Sequence, residues 1–417
     1  MNHFFKLVGL ATLLLPSCTP APKTETLPEL KIVSKQRIDQ TLFSLVDQGV
    51  IAGGSALVFE DGQEAYFGAF GLADGAANRE FDRDTLVQIY SMTKPITGVA
   101  LMTLYEQGLF SLDDPISKHV PELASLQIFS GKDENGDVIL QNPEHQPTVR
   151  DFMRHSAGLA DDDDNPVGEL YRLVDPTNWN NTLTQVAEKL GQIPLLYEPG
   201  TQWRYSAAVD IQALMVERLS GMPFDDYVQQ AVFTPLGMRQ TSYFLPEAHR
   251  SRMAGLYQTQ EDGSLKQLPN EEAHAFNIQR QTLTPGNFGF VSSIDDYMRF
   301  ALMLQNEGTF KGVQILKPQT VALMATNMLS DDVTERFWLP SKGQIGFGLD
   351  FAVRVAPPVN TDENFGVVGE FFWDGFASTL FWVDPENDLT AVLFVQITPF
   401  NNDVHNAFRD AVYNQPD

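Results

Sequence analysis

Near the amino end, the pattern of apolar positions first has a helical period and then the period of strands. One apolar helical face is predicted over residues 35–49 (KQRIDQTLFSLVDQG), formed by Ile38, Leu42, Leu45 and Val46. The runs SALVFEDG and EAYFGAFG follow, separated by turn residues, and they indicate a β-hairpin. Residues 91–107 are largely apolar and predict a buried helix that ends at Gly108.

The middle of the chain, from about 111 to 284, is richer in Asp, Pro and helical patterns. Within it, residues 207–219 predict a helix with an apolar face, stopped by a glycine. Beyond it, residues 293–305 predict another helix. Asp295 and Asp296 fall in its first turn, where carboxylates interact favourably with the helix dipole.

The carboxyl end returns to strands. The stretch STLFWVDPENDLTAVLFVQ predicts a strand, an Asp-Pro turn and a strand, and residues 403–413 predict a closing helix. This order predicts an α/β (α+β) fold, with an antiparallel sheet flanked by N- and C-terminal helices and a large helical insertion lobe. We expect the sheet part at about 33–110 and 285–417 and the helical part at about 111–284, with a site where the lobes meet.

The first residues differ from the rest. A short positive start precedes the apolar run Leu7–Leu15, which is too short to span a bilayer and is typical of an export signal. Leu15-Pro16-Ser17-Cys18 resembles a lipoprotein signal-peptidase site. Residues 1–17 are then a lipoprotein signal peptide, and Cys18 is the lipidated first residue. The alternative is an ordinary secretory signal with an incidental cysteine.

A Pro- and Thr-rich tether is predicted over residues 18–32, followed by one globular domain over 33–417. We expect an exported lipoprotein facing the periplasm or the cell exterior, in contact with the membrane only through a lipid anchor at Cys18. Because Cys18 is the single cysteine of the chain, an internal disulfide is excluded and stability must come from the core.

Composition limits the partners. The 417 residues include 28 Lys and Arg against 54 Asp and Glu, a net charge of −26. Such a surface repels phosphate backbones, so a nucleic-acid partner is not expected. With 43% hydrophobic and 20% charged residues the chain is typical of a soluble globular domain. The composition does not indicate a substrate, and the oligomeric state is left open.

A serine and a lysine lie close together in Ser91-Met92-Thr93-Lys94. Positions i and i+3 share one face of a helix, so the Lys94 amine can approach the Ser91 hydroxyl and act as its base if burial lowers the amine's pKa. Pro95 fits only near a helix start, which puts the pair in the first turn, facing outward from the helix end. In the alternative, Ser91 is an N-cap and Lys94 a surface charge.

The chain as a whole, over roughly residues 33–414, resembles the serine β-lactamase and penicillin-binding-protein superfamily. Within it, the chain is most similar to the class C β-lactamase-like group and its serine esterases, of the family VIII carboxylesterase type. The matching segments keep the family's order and spacing. They are TLVQIYSMTKPITGVALMTLYEQGLFSLDDPI, PTVRDFMRHSAGL, PLLYEPGTQWRYSAAVD, FTPLGMRQT, GNFGFVSSIDDYMRFALMLQNEG and FFWDGFASTLFWVDPENDL.

This resemblance implies roles for particular residues. Ser91 would be the acylated nucleophile, Lys94 its basic partner, and Tyr205 the carrier of protons to and from the leaving group. The backbone N–H groups of Ser91 and Phe376 would form the oxyanion hole that acyl transfer needs. Trp373-Asp374-Gly375 would edge the substrate pocket. For Tyr205 and Trp373 the alternative is plain packing in a core.

Two departures from the family bear on the substrate. Ala207 replaces the asparagine of Tyr-x-Asn in the substrate pocket, and Trp373-Asp374-Gly375 replaces Lys-Thr-Gly. An anionic β-lactam or peptide C-terminus would lose its partners and meet repulsion from Asp374, whereas a neutral ester would lose little. Asp210 completes the Y-S-x-x-x-D pattern of the esterase members, and we interpret it as an exposed helix carboxylate without a catalytic role.

Other motifs carry no chemistry. The chain has no G-x-S-x-G nucleophile elbow, and its 7 histidines have no metal-ligand spacing. His155 falls in a segment that resembles a structural loop of the family. Asp161–Asp164 indicates a solvated loop rather than a cation site.

These observations favour a serine hydrolase, specifically a carboxylesterase that cleaves neutral small or medium esters through a Ser91 acyl-enzyme. We therefore expect a small-molecule ester or amide as substrate and no cofactor. The alternative is a β-lactamase or a D-alanyl-D-alanine carboxypeptidase of the penicillin-binding type. A second alternative is a tethered binding protein that has kept the fold without the chemistry.

Overall fold

The computed structural model describes Met1 and residues 32–162, 165–360 and 363–413. Residues 2–31, which include Cys18 and all of the predicted signal peptide except Met1, lie outside the described residues. Within the described residues, no helix combines the length and apolar character that crossing a membrane requires.

The strands of the described residues belong to one large sheet and several small ones. They are β1 (Gly53–Glu60), β2 (Gln63–Asp74), β3 (Arg79–Glu80), β4 (Leu86–Gln88), β5 (Ile128–Lys132), β6 (Val138–Gln141), β7 (Tyr257–Thr259), β8 (Leu265–Gln267), β9 (Val291–Ser293), β10 (Thr309–Phe310), β11 (Val313–Gln314), β12 (Ile345–Phe347), β13 (Ala352–Arg354), β14 (Phe371–Asp374), β15 (Leu380–Asp384), β16 (Leu389–Val395) and β17 (Ile397–Thr398).

The large sheet is antiparallel and has the order β12-β13-β14-β15-β16-β1-β2-β3. Strands from both ends of the chain therefore lie side by side, with β1 paired to β16. The predicted hairpin is present as β1 and β2, and the predicted strand-turn-strand as β15 and β16. The predicted fold class is confirmed.

Helices come from the chain ends and from the middle of the chain. They are α1 (Lys35–Asp47), α2 (Thr93–Glu106), α3 (Val149–Met153), α4 (Gly168–Val174), α5 (Leu183–Leu190), α6 (Ala208–Ser220), α7 (Phe224–Val228), α8 (Thr234–Leu236), α9 (Glu247–Arg250), α10 (Asn270–Ala273), α11 (Ala275–Ile278), α12 (Ile294–Gln305), α13 (Pro318–Met324) and α14 (Asn402–Tyr413).

Helices cover both faces of the large sheet, as two successive residues of β15 show. Phe381 packs against Tyr297 of α12, with ring centroids 5.0 Å apart. Trp382 packs against Phe408 of α14 at 5.4 Å. Successive strand residues point to opposite faces, so α12 and α14 cover opposite sides of the sheet. Burial on both faces explains why β15 and β16 are apolar without alternation.

Helix α2 lies in the interior and ends beside the sheet. It is buried along most of its length and packs against α6. A short 3₁₀ turn, Tyr90–Met92, precedes it and lies against β14. The amino end of α2 is therefore the point where the sheet and the mainly helical middle of the chain meet. The small strand pairs β5–β6 and β7–β8 in that middle part were not predicted.

Candidate active site

The turn before α2 presents Ser91 at the edge of a cavity. Tyr90 has a φ of +45°, a left-handed conformation that costs a non-glycine residue about 1–3 kcal/mol. It turns the chain out of β4 so that Ser91, which is partly exposed, opens the helical segment. The N-cap of α2 is Met92, and Lys94 is only 3% exposed. The surface-lysine interpretation is therefore wrong, as is the expectation that Lys94 faces outward.

Three contacts fix the Lys94 amine. Its Nζ donates hydrogen bonds to Ser91 Oγ at 3.2 Å and to the Asn287 carbonyl oxygen at 2.9 Å. It also lies 4.4 Å from the centroid of the Tyr205 ring. The amine is thus in hydrogen-bonding range of the hydroxyl whose proton it would accept.

Asp210 is part of this arrangement, and its interpretation as an exposed carboxylate is wrong. Its side chain is fully buried in the first turn of α6. Its two carboxylate oxygens accept hydrogen bonds from Asn287, one from the backbone N–H at 3.0 Å and one from the side-chain amide at 2.7 Å. Asp210 therefore holds the residue whose carbonyl oxygen accepts from Lys94.

Burial sets the protonation states around Lys94. It lowers the pKa of the Lys94 amine to about 7, and the charges of Asp210, Asp350 and Asp374 oppose that shift. Burial also raises the pKa of Asp210 to about 6, against hydrogen bonds from Asn287 and the charge of Lys94. The pKa of Asp350, fully enclosed and bonded to Gln212 at 2.9 Å, is raised well above its ordinary value by burial. A lysine of this kind is neutral often enough near pH 7 to act as a base.

Tyr205 lies in the loop before α6, with its hydroxyl beside Ser91 and Trp373. Trp373 Nε1 donates a hydrogen bond to the Tyr205 hydroxyl at 3.2 Å. Burial raises the pKa of Tyr205, although hydrogen bonds with Ser91 and Trp373 oppose the rise. The phenol therefore stays protonated near neutral pH and is available as a proton donor.

His155 supports Tyr205 from the other side. The two rings are 4.7 Å apart, and the imidazole is completely buried. Burial, together with the charge of Lys94, lowers the pKa of His155 well below its ordinary value, so the ring is neutral. It contacts Tyr205 by packing, in agreement with the structural role expected for its loop.

Gly375 brings the end of β14 close to the turn that carries Ser91. A Cβ at Gly375 would lie 2.6 Å from the carbonyl oxygen of Ile89 and 2.2 Å from Thr379 Oγ1. Only glycine permits this approach, which places Phe376 next to the turn. The Phe376 ring, 57% exposed, lies 5.6 Å from that of Tyr90.

A cavity of about 380 Å³ opens in front of Ser91. Most of its wall is aromatic. Its lining residues are Ser91, Tyr205, Trp338, Ser341, Lys342, Trp373, Asp374, Phe376 and Phe400. Ala207, also expected in the pocket, is instead a buried residue at the N-cap of α6 and is not among them, nor is Gly375.

Asp374 has an ion-pair partner in the cavity, Lys342, which the sequence did not indicate. Because the Asp374 charge is compensated within the protein, an anion entering the cavity would meet an ion pair rather than an isolated carboxylate. Lys342 ends a 3₁₀ helix formed by Leu339–Lys342, far from β14 in sequence.

Sequence reasoning missed Asn287, Asp350 and Lys342. Only Asn287 lay in a segment that carried a signal, since it belongs to the GNFGF stretch of the family resemblance. Asp350 and Lys342 lie in stretches without a motif, and only the folded chain brings them to the site.

The acidic run shows no cation chemistry in the part the structure describes. Asp161 forms an ion pair with Arg204, at 2.7 Å. Asp163 and Asp164 lie outside the described residues. No group of three or more His, Cys, Asp or Glu side chains suited to a metal occurs among the described residues.

The pKa of Lys94 predicts the pH dependence of the reaction. Because the base must be neutral, kcat/KM for an ester should rise as the pH increases through about 7. Asp210→Asn removes a charge that raises the pKa of Lys94, so the midpoint of this rise should move to lower pH. Rate profiles between about pH 5 and 9 measure both effects.

A matched control for the pH profile is Asp47→Asn, which makes the same charge change at the exposed end of α1. It should leave the midpoint in place. A midpoint that does not move in Asp210→Asn, or moves to higher pH, would contradict the assignment of the rise in kcat/KM to Lys94.

A serine hydroxyl that is hydrogen-bonded to a buried lysine, with a tyrosine beside both, is typical of serine hydrolases and acyltransferases with a β-lactamase fold. Comparison with known proteins gives the family. Residues 38–414 match the model of the Beta-lactamase family, so the chain belongs to that family. This agrees with the superfamily to which the sequence motifs pointed.

Individual proteins are similar over most of their length. Protein Rv1367c of Mycobacterium tuberculosis is 30% identical, with 85% of this chain and 88% of that protein covered. Lovastatin esterase of Penicillium rubens is 23% identical, with 90% and 98% covered. The solved structure of EstCE1, described as a hydrolase with promiscuous acyltransferase activity, has a TM-score of 0.75 at 23% identity, with 91% of this chain and 98% of that chain covered.

Proposed function

We propose that this protein is a carboxylesterase that cleaves neutral small or medium esters through a covalent acyl-enzyme on Ser91. The observation that carries the proposal is the contact between Lys94 and Ser91. A buried amine with a pKa of about 7 lies 3.2 Å from a serine hydroxyl that faces a mostly aromatic cavity. Such a pair is the activated nucleophile that acyl transfer needs.

In the proposed reaction, Ser91 Oγ attacks the ester carbonyl carbon while Lys94 Nζ accepts the hydroxyl proton. The backbone N–H groups of Ser91 and Phe376 stabilise the negative charge on the carbonyl oxygen. The Tyr205 hydroxyl then donates a proton to the departing alkoxide and is reprotonated from Lys94. Water attacks the acyl-enzyme through the same groups, which releases the carboxylic acid and restores the serine.

Neutral esters suit the cavity better than anions do. Its charged lining residues, Lys342 and Asp374, are paired with each other, and its other walls are largely aromatic. The similarity to lovastatin esterase and to EstCE1, a hydrolase, supports ester hydrolysis at low identity.

One observation favours the alternative, a β-lactamase or D-alanyl-D-alanine carboxypeptidase. Lys342 provides an ammonium group in the cavity, and such substrates carry a carboxylate. The engagement of Lys342 by Asp374 argues against this use. The intact contact between Ser91 and Lys94 argues against a purely binding protein.

The experiment that separates these functions is a turnover panel. We expect hydrolysis of p-nitrophenyl esters from acetate to octanoate, and slow or no turnover of nitrocefin. Rapid nitrocefin turnover, or a stable adduct with fluorescent penicillin, would favour the alternative. No turnover of any ester, amide or lactam would favour the binding protein and contradict the esterase.

We also propose that the enzyme is exported and anchored in a membrane by a lipid on Cys18. The support is the basic and apolar start of the chain and its single cysteine. Cells grown with radioactive palmitate should label the wild-type protein, and Cys18→Ala should lose the label. Equal labelling of the variant would show that Cys18 is not the lipidated residue.

A further inference from the structure

The active-site cavity contains an ion pair that the proposed mechanism does not use. Lys342 ends a 3₁₀ helix and Asp374 ends β14, and both line the same cavity as Ser91. The Lys342 ammonium contacts the Asp374 carboxylate directly, and the two side chains are only 5% and 10% exposed. Ions this far removed from water need a partner, so the pairing is part of how the cavity is built.

Three aromatic rings also lie close to the ammonium group. Lys342 Nζ lies 4.6 Å from the ring centroid of Phe400, 5.3 Å from that of Trp338 and 5.6 Å from that of Trp373. All three rings line the cavity. Ring faces at these distances attract a cation, and the Asp374 carboxylate is its anionic partner.

The pair makes the wall of the cavity electrically neutral. Among the described residues that line it, Lys342 and Asp374 are the charged ones. A substrate carboxylate entering the cavity would have to displace Asp374 from Lys342 or lie against its negative charge. A neutral acyl or alcohol group meets neither cost.

We propose that Asp374 determines the specificity of this cavity by occupying Lys342, which is otherwise a receptor for a substrate carboxylate. The proposal rests on the proposed esterase function and deepens it. The enzyme selects uncharged esters because its own carboxylate already fills the carboxylate-binding position. The chemical class that it excludes is esters that carry a second, ionised carboxyl group.

Asp374→Asn tests the proposal because the amide nearly keeps the shape of the side chain and removes its charge. Lys342 then keeps an uncharged acceptor and is free to pair with an anion. A substrate carboxylate gains a charge-assisted hydrogen bond in the variant, which is enough to shift selectivity by about tenfold.

Two substrates of equal acyl length measure this shift, p-nitrophenyl valerate and mono-p-nitrophenyl glutarate. The wild type should prefer the valerate. In Asp374→Asn the ratio of kcat/KM for glutarate over valerate should rise about tenfold. In the double variant Asp374→Asn/Lys342→Gln the rise should disappear, and Asp47→Asn should keep the wild-type ratio.

A binding measurement separates this proposal from the esterase function. In the Ser91→Ala background, calorimetry compares pentanoate with pentanamide, and neither requires turnover. Asp374→Asn should increase the preference for pentanoate about tenfold. If neither the wild type nor any variant cleaves an ester, the esterase function is wrong. The binding preference for pentanoate over pentanamide still decides the role of Asp374.

Thermal melts identify which variants fold. If Asp374→Asn does not fold, Asp374→Ser takes its place in both measurements. Two results would overturn the proposal. One is a folded Asp374 variant in which both ratios keep their wild-type values. The other is an equal increase in the double variant, where Lys342 is absent.

Discussion

Ser91→Ala should lower the hydrolysis of p-nitrophenyl esters at least about a thousandfold. In the proposed mechanism the hydroxyl oxygen is the atom that forms the acyl bond, and Ser341, the other serine that lines the cavity, donates instead to the Trp338 carbonyl oxygen. Lys94 and Tyr205 keep their positions in the variant but have no proton to carry. Initial rates at saturating ester, corrected for spontaneous hydrolysis, measure the loss.

The control for this variant is Ser44→Ala, which removes a hydroxyl from the exposed surface of α1. It should keep wild-type activity. Ser91 is partly exposed in a preformed turn, so Ser91→Ala should melt close to the wild-type temperature. Turnover above about a tenth of the wild-type rate in folded Ser91→Ala would exclude an acyl-enzyme at this residue.

Lys94→Met should lower the same activity by about a hundredfold to ten-thousandfold, the usual contribution of a general base. Methionine fills nearly the same buried space and cannot accept the Ser91 proton. The loss should appear mainly in kcat, because the cavity that binds the substrate is lined by other residues. Steady-state kinetics with p-nitrophenyl butyrate measure this division between kcat and KM.

The melting temperature separates lost chemistry from lost structure in this variant. Burial lowers the pKa of Lys94 to about 7, below the ordinary lysine value, so protonation of this amine opposes folding. The resulting penalty is largest below pH 7 and declines as the pH rises towards the ordinary value, about 10.4. At neutral pH we therefore expect Lys94→Met to melt at or above the wild-type temperature.

Lys35→Met, on the exposed start of α1, is the control for the change from lysine to methionine. It should alter neither activity nor melting. If Lys94→Met melts far lower than the wild type, its loss of activity reflects structure. If it folds and keeps full activity, Lys94 is not the base.

Local patterns predicted the elements that depend on local interactions. The β1–β2 hairpin and α12 follow from alternation and helical period, and α12 begins at a capping serine, Ser293. The antiparallel sheet followed from the order of the elements, since strands at the two chain ends need partners. Its register, with Ser55 opposite Phe394, could not be obtained from local pattern because it joins distant parts of the chain.

Asp210 shows where the helical pattern misled. The apolar-faced pattern of residues 207–219 favours an exposed position for the charged Asp210. In the structure α6 is buried from Ala208 to Val216, and its polar side chains find buried partners in Asn287 and Asp350. The sequence of α6 did contain a sign of burial. The helix has few polar residues, and no lysine or arginine occurs before its last turn.

Site residues that lie within one turn of each other could be predicted from the sequence. Site residues that come from distant parts of the chain could not. Ser91 in the 3₁₀ turn and Lys94 in the first turn of α2 are three residues apart in one continuous helical segment, so their contact followed from spacing. Lys342 contacts Asp374 only because the folded chain brings the end of the 3₁₀ helix Leu339–Lys342 to the end of β14. The charge of the cavity therefore could not be deduced from the Trp373-Asp374-Gly375 motif alone.

The most direct test of the central claim is mass spectrometry of the protein after reaction with a fluorophosphonate probe, followed by peptide mapping. We predict a single adduct on the Ser91 hydroxyl, absent from Ser91→Ala and formed faster as the pH rises through about 7. An adduct on another residue, or no adduct on the folded wild type, would contradict the assignment of Ser91 as the nucleophile.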